Sequence, residues 1–352
     1  MSMIKVLAVD DSAAFRRILT EALASDPGIQ VVGTAASGLE VPDLVRAKHP
    51  DLLVLDVEMP GMDGLQTLDE LRRQHLRVGA IMFSALTSEG AATTLEALAK
   101  GAFDFVPKPT GTGAFVESIR RIKAELIPKI HAFATRRAGR AAGAAAPAAQ
   151  PAPRRTVAVR PEAVAIGIST GGPNALNEVI PRLPAGLRVP VLLVQHMPPV
   201  FTAQLARRLD ERSPVRVVEA VQGQRVEPGT VYIAPGDQHM EVRGRGDGRI
   251  IHLHQGPPVN SCRPSADVLF RSVAEAYGGR ALAVVMTGMG QDGLEGARRL
   301  REAGGRVIAQ DRETCVVWGM PRFVAEAGLA DEIRPLGEIA SAIQRVVGLQ
   351  AA

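Results

Sequence analysis

Residues 164–172 read VAIGISTGG: an unbroken aliphatic run, then a serine set among glycines, then the start of a helical pattern. A short apolar run bounded by turn residues is the mark of a strand buried on both faces. Working outward, the same pattern recurs. Downstream strands are expected at Val189–Gln195, Val215–Glu219, Val231–Ala234, Arg249–His254, Ala281–Thr287 and Arg306–Ala309. Upstream they are expected at Ile4–Val9, Gln30–Ala35, Leu52–Asp56, Ala80–Ser84 and Asp104–Val106, with helical stretches such as Ala13–Ala24 and Leu65–His75 between them. Aliphatic runs alternating with amphipathic stretches predict an α/β protein with parallel sheets. The N-terminal half should carry a parallel five-stranded sheet. The C-terminal half should be doubly wound and mostly parallel, with a hairpin near 231–254.

The chain of 352 residues is long enough for two domains. Between them, from about Pro128 to Pro161, large apolar residues thin out and the tract AAGAAAPAAQPAP appears, flanked by Arg136, Arg137, Arg140, Arg154 and Arg155. The reading is therefore a domain at 1–125, a flexible basic linker at 126–161 and a second domain at 162–352. Residues 1–125 hold 13 basic against 17 acidic side chains, 126–161 hold 7 against none, and 162–352 hold 21 against 20. The net charge of +4 thus belongs to the linker, and neither domain has the basic face of a nucleic-acid binder. Two cysteines, Cys262 and Cys315, are too few for a disulfide framework and fit a reducing compartment. No signal-like or spanning apolar stretch appears, so a cytoplasmic protein without membrane insertion is expected.

Parallel sheets place their chemistry at the C-terminal strand ends. In the first half Asp10 and Asp11 follow the first strand and Asp56 ends the central one. Three carboxylates at one edge repel one another unless a hard cation lies among them, and Mg²⁺ suits that role. Ser84 closes the next strand and Lys108 precedes Pro109, adding a hydroxyl and an ammonium for phosphoryl oxygens. With the continuation DVEMPGMDG, this half resembles a two-component response-regulator receiver, a flavodoxin-like fold. The resemblance implies that Asp56 is the phosphoacceptor and that Asp10, Asp11 and Asp56 hold Mg²⁺ with the backbone carbonyl of Glu58. It also implies that Ser84 is the switch hydroxyl, Lys108 the partner cation and Phe105 the switch aromatic.

In the second half VAIGISTGG contains G-x-S-x-G, with Ser169 at a strand-to-helix turn whose following amides can face an anionic intermediate. A hydroxyl needs a base. His196 ends the next strand in VLLVQHMPP, and Asp292 lies in the glycine-rich MTGMGQDG after a later strand, so Ser169, His196 and Asp292 form a candidate triad. The order Ser…His…Asp differs from that of α/β-hydrolases. With VYIAPGDQHM, RPSADVLF and CVVWGMP added, residues 160–345 resemble the catalytic domain of the chemotaxis protein-glutamate methylesterase/glutaminase family. The resemblance implies hydrolysis of γ-glutamyl methyl esters, and deamidation of glutamines, on methyl-accepting chemoreceptors. It also implies a chemotaxis histidine kinase as phosphodonor, the Met289 N–H as oxyanion donor, Thr170 beside the nucleophile, and no cofactor in this domain. A tethered receiver further suggests that the unphosphorylated domain covers the catalytic edge. Cys262 reads as a packing residue, Arg263 as an ion-pair partner, and His239, His252 and His254 as ordinary strand or turn histidines.

Overall fold

The computed structural model describes residues 3–109, 115–141 and 159–349, and the chain divides into two compact units, Met1–Gly143 and Ala144–Ala352. The first contains β1 (Ile4–Val9), α1 (Ala13–Leu23), β2 (Ile29–Ala35), α2 (Val41–Lys48), β3 (Leu52–Asp56), α3 (Gly64–Arg73), β4 (Gly79–Ser84), α4 (Ser88–Ala99), β5 (Asp104–Pro107) and α5 (Phe115–Ala141). Its five strands are all parallel, in the order β2-β1-β3-β4-β5. Every residue of β3 is buried, as a strand covered on both faces requires. The chain reverses its sheet position between β1 and β3, which opens a crevice at their carboxyl ends.

Helix α5 corrects the expected linker boundary. Residues 126–141 are helical, continuous with the turns before them. Leu126 and Ile130 are fully buried, and Phe133 packs edge-on against Phe103 with ring centroids 5.4 Å apart. His131 Nε2 lies 2.9 Å from an Asp26 carboxylate oxygen, and Arg137 pairs with Asp51. These spaced contacts offset the cost of Pro128, which removes one helical hydrogen bond. A composition average over 126–161 hid them among alanines and prolines. Residues 142–158, with Arg154, Arg155 and most of the Ala/Pro tract of the expected tether, lie outside the described residues.

The second unit contains β6 (Ala163–Ile168), α6 (Gly172–Val179), β7 (Val191–Gln195), α7 (Pro199–Asp210), β8 (Arg216–Glu219), β9 (Thr230–Ile233), β10 (His239–Arg243), β11 (Ile250–His254), α8 (Ala266–Tyr277), β12 (Ala281–Val285), α9 (Leu294–Glu302), β13 (Arg306–Gln310), α10 (Met320–Glu326), β14 (Glu332–Arg334) and α11 (Leu336–Val346). Seven strands form a parallel sheet, β14-β13-β12-β6-β7-β9-β8. The expected hairpin is narrower than 231–254: β9 joins the main sheet, and β10 pairs antiparallel with β11 in a sheet of their own. Aliphatic and small side chains of the central strands, among them Ala165, Val194 and Val285, pack with Phe270 and Tyr277 of α8. Strand β6 sits between β7 and β12, so three loops far apart in sequence leave three neighbouring strand ends. Among the described residues no helix is long and apolar enough to cross a membrane.

Candidate active site

Ser169 directly follows β6, and its backbone N–H donates to the Thr287 carbonyl beyond β12 at 2.9 Å. Gly171 is held at φ +77°, and a side chain there would drive a Cβ to 2.5 Å from Val316, so only glycine permits this turn. Gly288 lies against the nucleophile loop so closely that an added Cβ would come within 2.7 Å of the Ser169 Cβ. The next residue in this loop, Met289, has an N–H that donates to no group among the described residues. Thr170 is buried, with its carbonyl accepting from the Thr287 hydroxyl at 3.0 Å.

The candidate base, His196, directly follows β7. The His196 N–H donates to the Ile168 carbonyl at 3.2 Å, and the Gln195 amide reaches the Ser169 carbonyl at 3.0 Å, which ties this loop to the nucleophile loop. His196 Nε2 lies 2.8 Å from Asp292 Oδ2. Asp292 is only 2% exposed and gathers four further donors: Ser265 Oγ at 2.6 Å, Asn260 Nδ2 at 3.0 Å, and the backbone N–H groups of Ala266 at 2.6 Å and Asp267 at 3.2 Å. The last two are the first amides of α8, so the carboxylate caps that helix from a distant loop. Asp267 returns the arrangement by accepting the Gly296 N–H at the start of α9 at 2.6 Å. Two helix starts are thus locked across each other. Burial pushes the Asp292 carboxyl up, but His196 and the surrounding donors prevail and bring it down to about 2. Burial likewise opposes the imidazolium of His196, yet Asp292 and the Cys262 sulfur outweigh it and raise the ring to about 9.

The expected residues therefore meet at one edge, with two departures. The Ser169 hydroxyl forms no hydrogen bond among the described residues. His196 Nδ1 instead faces Cys262 Sγ at 3.5 Å, so Cys262 is not the packing residue that its sequence context suggested. Asn260, Ser265 and Gln195 escaped the sequence reading, and only RPSADVLF, where a serine precedes an apolar helical run, hinted at one of them. Arg263 does form an ion pair, with Asp237. The rings of His239 and His254 lie near each other in a tilted pair, with centroids 5.2 Å apart.

In the first unit Asp10 and Asp56 are buried and Asp11 is exposed, and oxygens of the three carboxylates lie within 4.8 Å of one another. Lys108 Nζ bridges two of them, 2.9 Å from Asp10 and 2.7 Å from Asp56. Burial raises the Asp56 carboxyl to about 6 against the pull of Lys108, and the charge of Asp10 adds to the rise. One ammonium among three carboxylates leaves a negative excess, and the all-oxygen donor set fits a hard divalent cation. The Glu58 N–H donates to Asp56 Oδ1 at 3.2 Å, Ser84 is fully buried at the end of β4, and Phe105 is buried in β5.

Comparison with known proteins places both halves in known families. Residues 164–343 match the CheB methylesterase family model and residues 6–120 that of the response regulator receiver domain. A protein of Trichodesmium erythraeum named protein-glutamate methylesterase/protein-glutamine glutaminase is 46% identical, covering 99% of this chain and 100% of that one. A Geobacillus kaustophilus protein of the same name is 45% identical over 99% of this chain and 100% of its own length. The crystal structure of the Thermotoga maritima CheB methylesterase catalytic domain superposes with a TM-score of 0.52 at 45% identity, covering 54% of this chain and 100% of that one. The chain belongs to the CheB methylesterase family, with a response regulator receiver domain preceding the hydrolase domain.

Proposed function

We propose that the chain hydrolyses γ-glutamyl methyl esters to glutamate and methanol, and glutamine side chains to glutamate and ammonia, on the cytoplasmic helices of chemoreceptors. The observation that carries this reading is the His196–Asp292 bond of 2.8 Å at the edge where β12, β6 and β7 end side by side, with Ser169 on the middle strand. Asp292 holds Nε2–H, which leaves Nδ1 as the base. Ser169 Oγ attacks the carbonyl carbon as its proton passes to Nδ1, the Cys262 thiol giving way to the hydroxyl once substrate is bound. The Met289 N–H faces the oxyanion. The proton on Nδ1 then leaves with methanol or ammonia, and water, deprotonated by the same nitrogen, releases the acyl group from Ser169.

Asp56 is the proposed phosphoacceptor, served by a chemotaxis histidine kinase. Asp10, Asp11, Asp56 and the Glu58 carbonyl would hold Mg²⁺, which supplies positive charge for an incoming phosphoryl group. Lys108 and Ser84 then take the phosphoryl oxygens, and phosphorylation raises the hydrolase rate. Methylated receptor fragments and a small-molecule phosphodonor provide the test. Ser169→Ala should release methanol at least ~10⁴-fold more slowly while still being phosphorylated at Asp56. Methanol release that survives this change, or a rate indifferent to phosphodonor, sinks the corresponding half of the reading.

A further inference from the structure

The side chain of Cys262 and the free nitrogen of His196 form a pair for which the proposed hydrolysis has no use. Cys262 Sγ stands 3.5 Å from Nδ1, and Asp292 occupies the other ring nitrogen at 2.8 Å. A tetrahedral zinc ion with ordinary Zn–S and Zn–N bonds holds its sulfur and nitrogen ligands about 3.6 Å apart. The pair therefore has the bite of two zinc ligands without movement. A metal-binding histidine also characteristically gives its second N–H to a carboxylate, which fixes the ring and makes the bound nitrogen more basic. Asp292, held by four donors besides His196, supplies that support. Access is available as well: Cys262 is partly exposed, and a residue whose loop must admit substrate also admits a hydrated ion.

We infer that Cys262 Sγ and His196 Nδ1 bind a thiophilic divalent cation, Zn²⁺, which switches the hydrolase off. On binding, the thiol loses its proton to solvent and the sulfur and the Nδ1 lone pair each form one bond to zinc. Water completes the coordination. His196 then has no lone pair for the Ser169 proton, so hydrolysis stops until the metal is withdrawn. The metal site stands on geometry alone, whereas its inhibitory effect rests on the proposed role of His196 as base.

The test uses the full chain in excess Mg²⁺, which occupies the acidic receiver cluster. Co²⁺ serves as a coloured substitute for Zn²⁺. The wild type should develop a thiolate-to-cobalt charge-transfer band that Zn²⁺ displaces, and Cys262→Ser should lack it, although Cys315 is still present. In parallel, Zn²⁺ should slow methanol release by about tenfold or more, reversibly on chelation, and Cys262→Ser should need at least about tenfold more zinc for the same fractional loss relative to its own zinc-free rate. A band that persists in Cys262→Ser, or equal zinc sensitivity in both proteins, overturns the inference. A normal band with an undiminished rate establishes the metal site and instead breaks the assignment of His196 as the base.

Discussion

Asp56 and Asp292 are the same residue type, 1% and 2% exposed, each at the carboxyl edge of a parallel sheet, yet their carboxyls move in opposite directions, to about 6 and about 2. Burial pushes both upward. The difference lies in what each meets at the edge. Asp56 shares Lys108 with Asp10 and stands among like charges. Asp292 also has a like charge near it in Asp267, but it accepts from five donors: an imidazole, an amide, a hydroxyl and the first two amides of α8. One edge is left electrically unfinished, as befits the cation and phosphoryl acceptor proposed for it. The other is finished in advance, as befits the proposed role of holding a base rigid through each turnover.

Removing the charge from the finished edge should have the largest effect. Asp292→Asn keeps the shape but no longer stabilises an imidazolium, and methanol release should fall by about 10³–10⁴-fold. Loss of less than tenfold would show that Asp292 only caps α8. The pH profile sharpens the same point. His196 acts as base only when neutral, so with its ring raised to about 9, kcat/KM should fall about tenfold per unit as pH drops below that value, measured in a chelated buffer. Because the folded value exceeds the unfolded one of about 6.5, the ion pair stabilises the fold fully below the latter. That contribution is lost as pH rises through about 9. A rate that is flat from pH 7 to 10 would show that the ring of the working base is not raised. Ser265→Ala deletes one buried donor to the carboxylate, and should cost about 1–3 kcal/mol by denaturant titration, with a smaller fall in rate than Asp292→Asn.

Strand ends announce themselves in the sequence, whereas the order of strands in a sheet does not. Aliphatic runs stop abruptly at Asp10, Asp56, Ser169 and His196, so strand ends and the chemistry they carry were legible one at a time. That β12, β6 and β7 are neighbours was not, because sheet order depends on crossovers that no local pattern encodes. The support for Asp292 was hidden for a related reason. Asn260 and Ser261 take positive φ values of 52° and 61°, a loop conformation dictated by its surroundings rather than by propensity. Strand β14 is three residues long and at the sheet edge, below any periodic signal. The helical stretch 126–141 is hidden in the sequence because three apolar contacts outweigh an unfavourable average. Cys262 looks inert in the sequence because its partner lies across the fold.

The smallest expected effect concerns the unfinished edge. Three carboxylates share one ammonium, with Arg16 held only on the backbone carbonyls of Asp10 and Asp11, and a divalent cation would offset the remaining negative charge. The fold should therefore gain about 1.4 kcal/mol when Mg²⁺ is present at ten times its dissociation constant, read from the receiver transition in calorimetry. Asp11→Asn is the discriminating variant, since Asp11 is exposed and its loss disturbs no core contact. It should weaken the magnesium dependence while leaving the metal-free transition nearly in place. At the finished edge the outcome should differ: chelation should not lower the unphosphorylated esterase rate, because Asp292 already has its full complement of donors. If magnesium stabilises neither protein, the negative excess at Asp56 is balanced by something other than a bound cation, and the contrast between the two edges loses its electrostatic basis.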